Sequence, residues 1–498
     1  MTGMMNTPML TTCSKLDSVA SWDEVVVQTR RAQQRWTAQT VGQRLAVVRR
    51  LRHLIAERAD ALAQTLPHSA NRSRADTLVA EVLPLADACR FLEREGARLL
   101  APVRLHHRPL WMRGVVAEVQ RQPWGVVLII APSNYPLLLP GVQLVQALAA
   151  GNAVLLKAGV GGLASSSMLK QLLVMAGLDA SLIQVLPEAP EAAIQAIERG
   201  VDKVVLTGSA ETGAKVLASL APHLTPATME LAGCDAAFVR PDANVELVVS
   251  ALAFSLRLNG GATCIAPRQV FVYAAMESTL THRLADRVRD VGPFDVEPSA
   301  FELARQLVQQ ACQSGARLVC GGFEDGDRMR PVILADVTPD MAVLCTAVMA
   351  PVLSLMRVAD DAAALKAASR SPYALGAVVF GREKAARELA AQVRAGVVLI
   401  NDVIVPAADP RLPFGGLGRS GYGVTRGAEG LLEMTAVKAL SVRRGHWRPH
   451  YEPPHPGHAD LFRAYIQAVH SASWRSRGAA IWSGLRTLTQ LLRPKRSS

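Results

Sequence analysis

Aromatic residues make up only 5% of this 498-residue chain and charged residues only 19%. Nowhere do about 18 apolar residues run without a charge, so no membrane-spanning helix is predicted. The seven cysteines, at 13, 89, 234, 264, 312, 320 and 345, form no CxxC pair. No histidine cluster has metal-ligand spacing either. Together these absences exclude a zinc site and a disulfide framework, and no bound metal is expected. The stretch Met1–Ala20 lacks a basic start followed by an apolar run, which argues against a secretory signal. The expected location is the cytoplasm, where thiols stay reduced.

Half of the residues are hydrophobic, and the length predicts two or more domains. The net charge of +12 is unevenly placed. From Ser441 to Ser498 there are ten Lys or Arg and two Asp or Glu, which leaves +4 for the preceding 440 residues. No aromatic-basic reader motif accompanies these charges, so nucleic acid is not an expected partner.

Leu45, Val48, Leu51, Ile55 and Leu62 recur near a 3.6-residue spacing, which predicts helices from Trp22 to about Leu100. Leu110–Gln122 turns β-like and suits a projecting hairpin. An alternation then begins: strands at 126–131, 153–158, 182–186 and 204–207, with helices at 137–150, 163–176, 190–199 and 211–220. A second series has helices at 246–258, 280–291 and 301–314. Its strands fall at 270–273, 318–320, 352–358, 376–380 and 397–400. Apolar strands alternating with helices imply parallel sheets covered on both faces, so the fold class is α/β. Tyr451–Gly457 reads as a linker to a C-terminal tail.

Several residues carry candidate chemistry. Cys264 lies in the small-residue stretch Asn259–Pro267, which leaves room for a carbonyl to approach sulfur. Glu230 precedes it by 34 positions, and Asn134, between two prolines, has an amide that could serve an oxyanion. Gly208, Ser209 and Gly213 stand at a strand-to-helix turn suited to a pyrophosphate. Lys157 ends a strand at the sheet edge where ligands bind. Each has a plainer explanation when taken singly: an incidental thiol, a surface acid, a turn residue, a tight βα turn, a solvated lysine.

In chain order these motifs resemble the aldehyde dehydrogenase superfamily over roughly residues 22–445. Pro132–Pro136 matches its Asn-bearing loop, Gly151–Lys157 its cofactor strand, and Gly208–Gly213 its pyrophosphate turn. Glu230–Gly233 matches its glutamate segment and Asn259–Pro267 its nucleophile loop. Gly396–Asp402 and Pro413–Gly421 match its C-terminal signatures. The resemblance implies an aldehyde dehydrogenase-like fold: a Rossmann-type cofactor domain, an α/β catalytic domain and a small β oligomerisation extension. The implied segments are 1–108 (N-terminal helices), 109–125 (oligomerisation hairpin), 126–231 (dinucleotide-binding), 232–425 (catalytic), 426–445 (return strand) and 446–498 (basic tail).

The activity it implies is oxidation of an aldehyde to a carboxylic acid with NAD or NADP. Cys264 would form a thiohemiacetal and then a thioester, Asn134 would hold the oxyanion, and Glu230 would activate the hydrolytic water. Pro132, Ser133, Lys157, Gly208, Ser209, Gly213 and Leu231 would bind cofactor, and the protein would be a homodimer or homotetramer. The chain departs from the family where carboxylates usually hold the two ribose rings, since Val160 and Ala347 stand there. Met349 replaces an aromatic residue, and Ala232 and Ala262 replace Gly and Gln. Val160 makes tolerance of NADP an expectation. Two alternatives stay open, an acyl-thioester (acyl-CoA) reductase of the same fold running the other way and, because Val160 and Ala347 weaken the ribose contacts, a non-catalytic scaffold.

The tail has two apolar stripes, Leu461, Phe462, Tyr465, Ile466 and Val469, then Ile481, Leu485, Leu488 and Leu492, beside Arg486, Arg493, Lys495 and Arg496. One reading is peripheral contact with an anionic membrane. The other is packing on the protein's own body or a neighbouring subunit.

Overall fold

The computed structural model describes residues 22–67, 72–446, 448–451, 453, 454 and 457–491. The expectations for Met1–Ala20, and for Leu492, Arg493, Lys495 and Arg496, fall outside them. Two compact units are present, one of Met1–Val103 and Val119–Ala439, the other of Arg104–Glu118 and Leu440–Ser498.

The larger unit is α/β and holds two open sheets. The first has the strand order Gly421–Tyr422, Ala227–Leu231, Lys203–Gly208, Val126–Ile130, Ala153–Lys157, Ile183–Leu186. All its pairings are parallel except that of Gly421–Tyr422 with Ala227–Leu231. Val126–Ile130 is buried at all five positions, and full burial of a Val, Leu or Ile side chain contributes about 1.5–3 kcal/mol. That explains its place at the centre. The chain leaves this strand first toward Ala153–Lys157 and Ile183–Leu186, then returns on its other side at Lys203–Gly208. The order therefore reverses between Val126–Ile130 and Lys203–Gly208, and a crevice opens at such a switch point beyond the strands' carboxyl ends. Helix Leu138–Ala150, buried along its whole length, follows the central strand and ends at Gly151 in the left-handed conformation (φ 100°), where glycine carries no Cβ penalty.

The second sheet runs Phe294–Asp295, Arg328–Ala335, Val352–Val358, Pro267–Tyr273, Asp235–Val239, Gly376–Phe380, Val397–Ile400, with Arg317–Glu324 also paired to Arg328–Ala335. Its central pairings are parallel.

Three strands of five or more residues have no counterpart in the sequence reading. Asp235–Val239 is Asp-Ala-Ala-Phe-Val, weak in β-formers. Arg328–Ala335 opens Arg-Met-Arg-Pro, and Ala227–Leu231 carries a glutamate. Partners on both sides override local propensity in the first two of these sheet neighbourhoods. The hairpin also shifts, because its first strand is Val103–Leu105, Leu110–Met112 is a single 3-10 turn, and the second strand is Val115–Pro123. With Thr435–Arg443 these strands make a three-stranded sheet.

The smaller unit also contains helices His458–His470 and Trp474–Leu491, packed on each other. The predicted stripe on the first helix divides. Leu461 and Tyr465 are half-buried, while Phe462, Ile466 and Val469 are exposed.

Candidate active site

A cavity of about 780 Å³ opens at the switch point of the first sheet and reaches residues of the second. Sites for small molecules and cofactors span about 300–1,000 Å³. Its walls include Cys264, Glu230, Asn134, Pro132, Ser133, Gly208, Ser209 and Leu231. Lys157 and Gly213 are not in the wall. Lys157 is buried at the end of its strand, level with Ile130 and Leu186. A Cβ on Gly213 would come within 2.8 Å of the Leu231 side chain, so this glycine lets its helix close onto the neighbouring strand.

Asn134 has a defined amide orientation. Its Oδ1 accepts the backbone N–H of Tyr135 (3.0 Å), which turns Nδ2 toward the carbonyl of Ala262 (3.0 Å). The second N–H of that amide has no partner among the described residues. Two further links tie this loop to the one bearing Cys264. The Tyr135 hydroxyl lies 2.7 Å from Thr263 Oγ1, and Asn259 Nδ2 donates to the carbonyls of Asn134 (3.1 Å) and Ala262 (3.2 Å).

Beneath the loop lies a buried ion pair that sequence reasoning missed. Arg72 Nη1 meets Glu81 Oε1 at 2.6 Å while Nη2 donates to the Asn134 carbonyl at 3.0 Å. The other Glu81 oxygen accepts the N–H groups of Leu137 (3.1 Å) and Leu138 (2.7 Å), where helix Leu138–Ala150 begins. Burial raises the Glu81 carboxyl, against the pull of Arg72 and those N–H groups. The pair's signal in the sequence was only an arginine and a glutamate nine residues apart in a helical region.

The Cys264 loop is built on left-handed backbone. Asn259, Gly260 and Gly261 have φ of 54°, 58° and 75°. A Cβ at Gly261 would lie 2.7 Å from both Cα and N of Pro351, so only glycine fits there. Arg268, 4% exposed, clamps the loop by donating to the carbonyls of Ala350 (2.9 Å), Thr263 (3.4 Å) and Gly261. Burial lowers its guanidinium to about 10.

Among the described cysteines only Cys264 lines the cavity. Burial pushes its thiol up to about 12, and the carboxylates of Glu230 and Asp235 act in the same direction. Arg426 and the N–H of Ile265 oppose them. The resting group is therefore a thiol at neutral pH, and attack on a carbonyl requires a base to take its proton.

Glu230 is 3% exposed. Its Oε2 accepts from the Thr425 hydroxyl (2.9 Å), and Oε1 is buried with no partner within hydrogen-bond distance among the described residues. Burial raises this carboxyl, opposed by Arg426 and by the Thr425 hydrogen bond. Pro413–Gly421 explains the position of the Glu230 strand. The N–H of Leu231 donates to the Ser420 carbonyl (3.1 Å), the Ser420 hydroxyl donates to the carbonyl of Ala232 (3.0 Å), and Gly421 pairs with Glu230 across the strands.

The walls fit a dinucleotide at one end. A Cβ on Gly208 would meet nothing nearer than 3.6 Å, so its absence leaves room on the cavity side that the fold itself does not require. The helix that follows, Ala210–Leu220, is capped by Ser209 Oγ, which accepts the Thr212 N–H (3.1 Å). Its N-terminus at the cavity favours an anion such as a pyrophosphate. Val160, Thr346, Ala347 and Met349, which stand where the family resemblance implies the ribose rings, also line the wall, and none is a carboxylate.

Residues 8–440 match the profile of the aldehyde dehydrogenase family. This chain belongs to the aldehyde dehydrogenase family. It is similar to a 4,4'-diapolycopene aldehyde oxidase of Methylomonas sp., 28% identical over 89% of this chain and 86% of the relative. It is also similar to a vanillin dehydrogenase of Pseudomonas fluorescens, 32% identical over 71% of this chain and 76% of the relative. In fold it resembles succinic semialdehyde dehydrogenase from Streptococcus pyogenes, solved with NADP+, with a TM-score of 0.80, 22% identity, and 86% and 97% of the two chains covered. As an aldehyde dehydrogenase it is an NAD(P)-dependent oxidoreductase that takes aldehydes to carboxylic acids. The expected fold class and cofactor class therefore hold.

Proposed function

We propose that Cys264 is the nucleophile of this aldehyde dehydrogenase, Glu230 its general base, and Asn134 with the backbone N–H of Cys264 its oxyanion donors. One observation carries the assignment. The three side chains share one cavity, and the Asn134 amide is hydrogen-bonded into the loop that bears Cys264. A steady-state screen of aldehydes of varied chain length and aromaticity, with NAD and with NADP, tests it. Formation of reduced cofactor that Cys264→Ala abolishes is the expected result, and activity unchanged by that substitution refutes it.

The chemistry follows from the surroundings. A thiol held near 12 gives up its proton to Glu230, directly or through one water, as sulfur attacks the aldehyde carbon. The resulting thiohemiacetal oxyanion takes the second N–H of Asn134. One such donor typically contributes about 2.7–4 kcal/mol. When bound, the nicotinamide cofactor accepts the hydride that converts the thiohemiacetal to a thioester. Glu230, having passed that first proton to solvent, takes a proton from the water that attacks the thioester and hands it to the departing sulfur, which frees the acid and restores the thiol. Because Glu230 is retained in the wall, hydrolysis is favoured over transfer to coenzyme A.

Pro132, Ser133, Gly208, Ser209 and Leu231 would hold the dinucleotide, its pyrophosphate at the Ala210–Leu220 N-terminus. Val160 is 70% exposed in the cavity wall and presents no carboxylate to repel a 2′-phosphate, which supports use of NADP as well as NAD. The enzyme would act in the cytoplasm as a homodimer or homotetramer, with edge strands of the Val103–Leu105, Val115–Pro123 and Thr435–Arg443 sheet contributing to assembly.

A further inference from the structure

The tail is absorbed by none of this chemistry, and its two helices leave a broad apolar face uncovered. They are joined by only three residues, 471–473, and pack antiparallel through Ala464, Ala480 and Gly484. A Cβ on Gly484 would lie 3.3 Å from that of Ala464, so small residues set the close approach. The larger apolar side chains point elsewhere. Phe462, Ile466 and Val469 recur at i, i+4 and i+7, and Trp474, Ile481, Leu485 and Leu488 at i, i+7, i+11 and i+14, each a single helical stripe. At 100° per residue, the second stripe stands about 90° around its helix from Ala480 and Gly484, and the first about 165° around its own from Ala464, in the same rotational sense. In an antiparallel pair the two stripes then point within about 75° of each other and wrap one edge of the hairpin. All seven side chains are exposed, from 40% for Val469 and Leu488 to 78% for Trp474. Patches of this kind mark interaction surfaces.

Charge decides among occupants. Arg463, Arg475, Arg477 and Arg486 flank the face, Arg475 lying over the Trp474 ring, and Asp460 is the single acid on the two helices. A second copy would bring the same excess of positive charge against it. Neither helix can cross a bilayer. Clustered Trp, Phe and aliphatic side chains rimmed by arginines suit a surface that is apolar below and anionic above.

We infer that the helical hairpin His458–Leu491 lies in the surface of an anionic lipid bilayer, with Phe462, Ile466, Trp474, Ile481 and Leu485 in the acyl boundary and the arginines at the headgroups. The enzyme is thereby held at a membrane as a peripheral protein. Each basic side chain near such a surface contributes roughly fivefold to partitioning, and added salt weakens the attraction.

The full-length protein is to be sedimented with phosphatidylcholine vesicles carrying a third phosphatidylserine, and with pure phosphatidylcholine vesicles. At least tenfold stronger partitioning to the anionic vesicles is expected, reduced by 0.5 M salt. The full-length double variant Ile481→Ser, Leu485→Ser should lose at least tenfold of it while keeping its aldehyde dehydrogenase turnover in solution. Quenching of tryptophan fluorescence by brominated lipid in the unmodified protein gives the same answer without a variant. Equal sedimentation of parent and variant, or no quenching, overturns the inference. So does binding to soluble polyglutamate but not to vesicles. A variant that falls to a smaller oligomer, with a parent that ignores vesicles, would assign the face to contact between copies.

Discussion

The carboxamide of Asn134 donates to the carbonyl of Ala262 at 3.0 Å, two residues before Cys264. One N–H of the amide thus locates the nucleophile loop while the other is left for an oxyanion. Asn134→Ala should lower kcat by about 10²–10³, the usual cost of one lost oxyanion donor, with little change in the melting temperature. Pre-steady-state kinetics of reduced-cofactor formation would check this.

Glu230→Gln should separate the two halves of the reaction. If thioester hydrolysis depends on the base, a burst of reduced cofactor near one equivalent should precede turnover slowed at least 10²-fold. The pH dependence has a definite sign. Burial raises the Glu230 carboxyl, so turnover should fall as acid protonates it, beginning at a higher pH than for an ordinary glutamate. The same shift governs stability. The folded state binds this proton more tightly than the unfolded one, so its contribution is full below the ordinary glutamate value. It is lost as pH rises through the raised one. Glu230→Gln should therefore match or exceed the parent in stability at pH 7, with that advantage shrinking at low pH. Urea melts at two pH values measure it.

Gly261→Ala places a methyl 2.7 Å from the backbone of Pro351, at a φ of 75°. Backbone cannot swing aside as a flexible side chain can. A loss of about 1–3 kcal/mol in stability and a larger fall in kcat are expected, seen as a lower denaturation midpoint and a slower burst.

Glu81→Gln leaves the Arg72 charge buried beside a neutral amide. Breaking a buried pair costs about 3–5 kcal/mol, and the Asn134 loop loses its brace. Restoring stability with Arg72→Met plus Glu81→Leu, without restoring kcat, would identify the pair as positioning groups for Asn134 rather than as mere core.

Val160→Glu returns a carboxylate to the cavity wall. Affinity for NAD should rise about tenfold or more, as for a hydrogen bond to a charged group, and affinity for NADP should fall. Isothermal titration with each cofactor reads both.

Several features were legible in the chain before any fold was known. The apolar strands Val126–Ile130 and Gly376–Phe380 announce themselves because burial on both faces demands unbroken hydrocarbon. The order of the motifs around Asn134, Glu230 and Cys264 also stands in the linear sequence, with prolines flanking the first and glycines in the other two. The edges of this reading are equally physical. Asp235–Val239 is a strand because Pro267–Tyr273 and Gly376–Phe380 flank it, not because alanine favours one.

Only the tertiary structure could bring Arg72 and Glu81 under the Asn134 loop, Arg268 onto the carbonyls of Gly261 and Thr263, and Thr425 onto Glu230 across 195 residues. Hydrogen bonds and buried charges are satisfied by whatever the folded chain places within 3 Å or so, and a linear pattern carries no trace of partners so distant. For the same reason packing alone set Gly213 against Leu231, and turned Phe462 outward while Ala464 faced in. Residue types and their order thus determined which chemistry this protein can perform, and three-dimensional proximity decided which groups hold that chemistry in place.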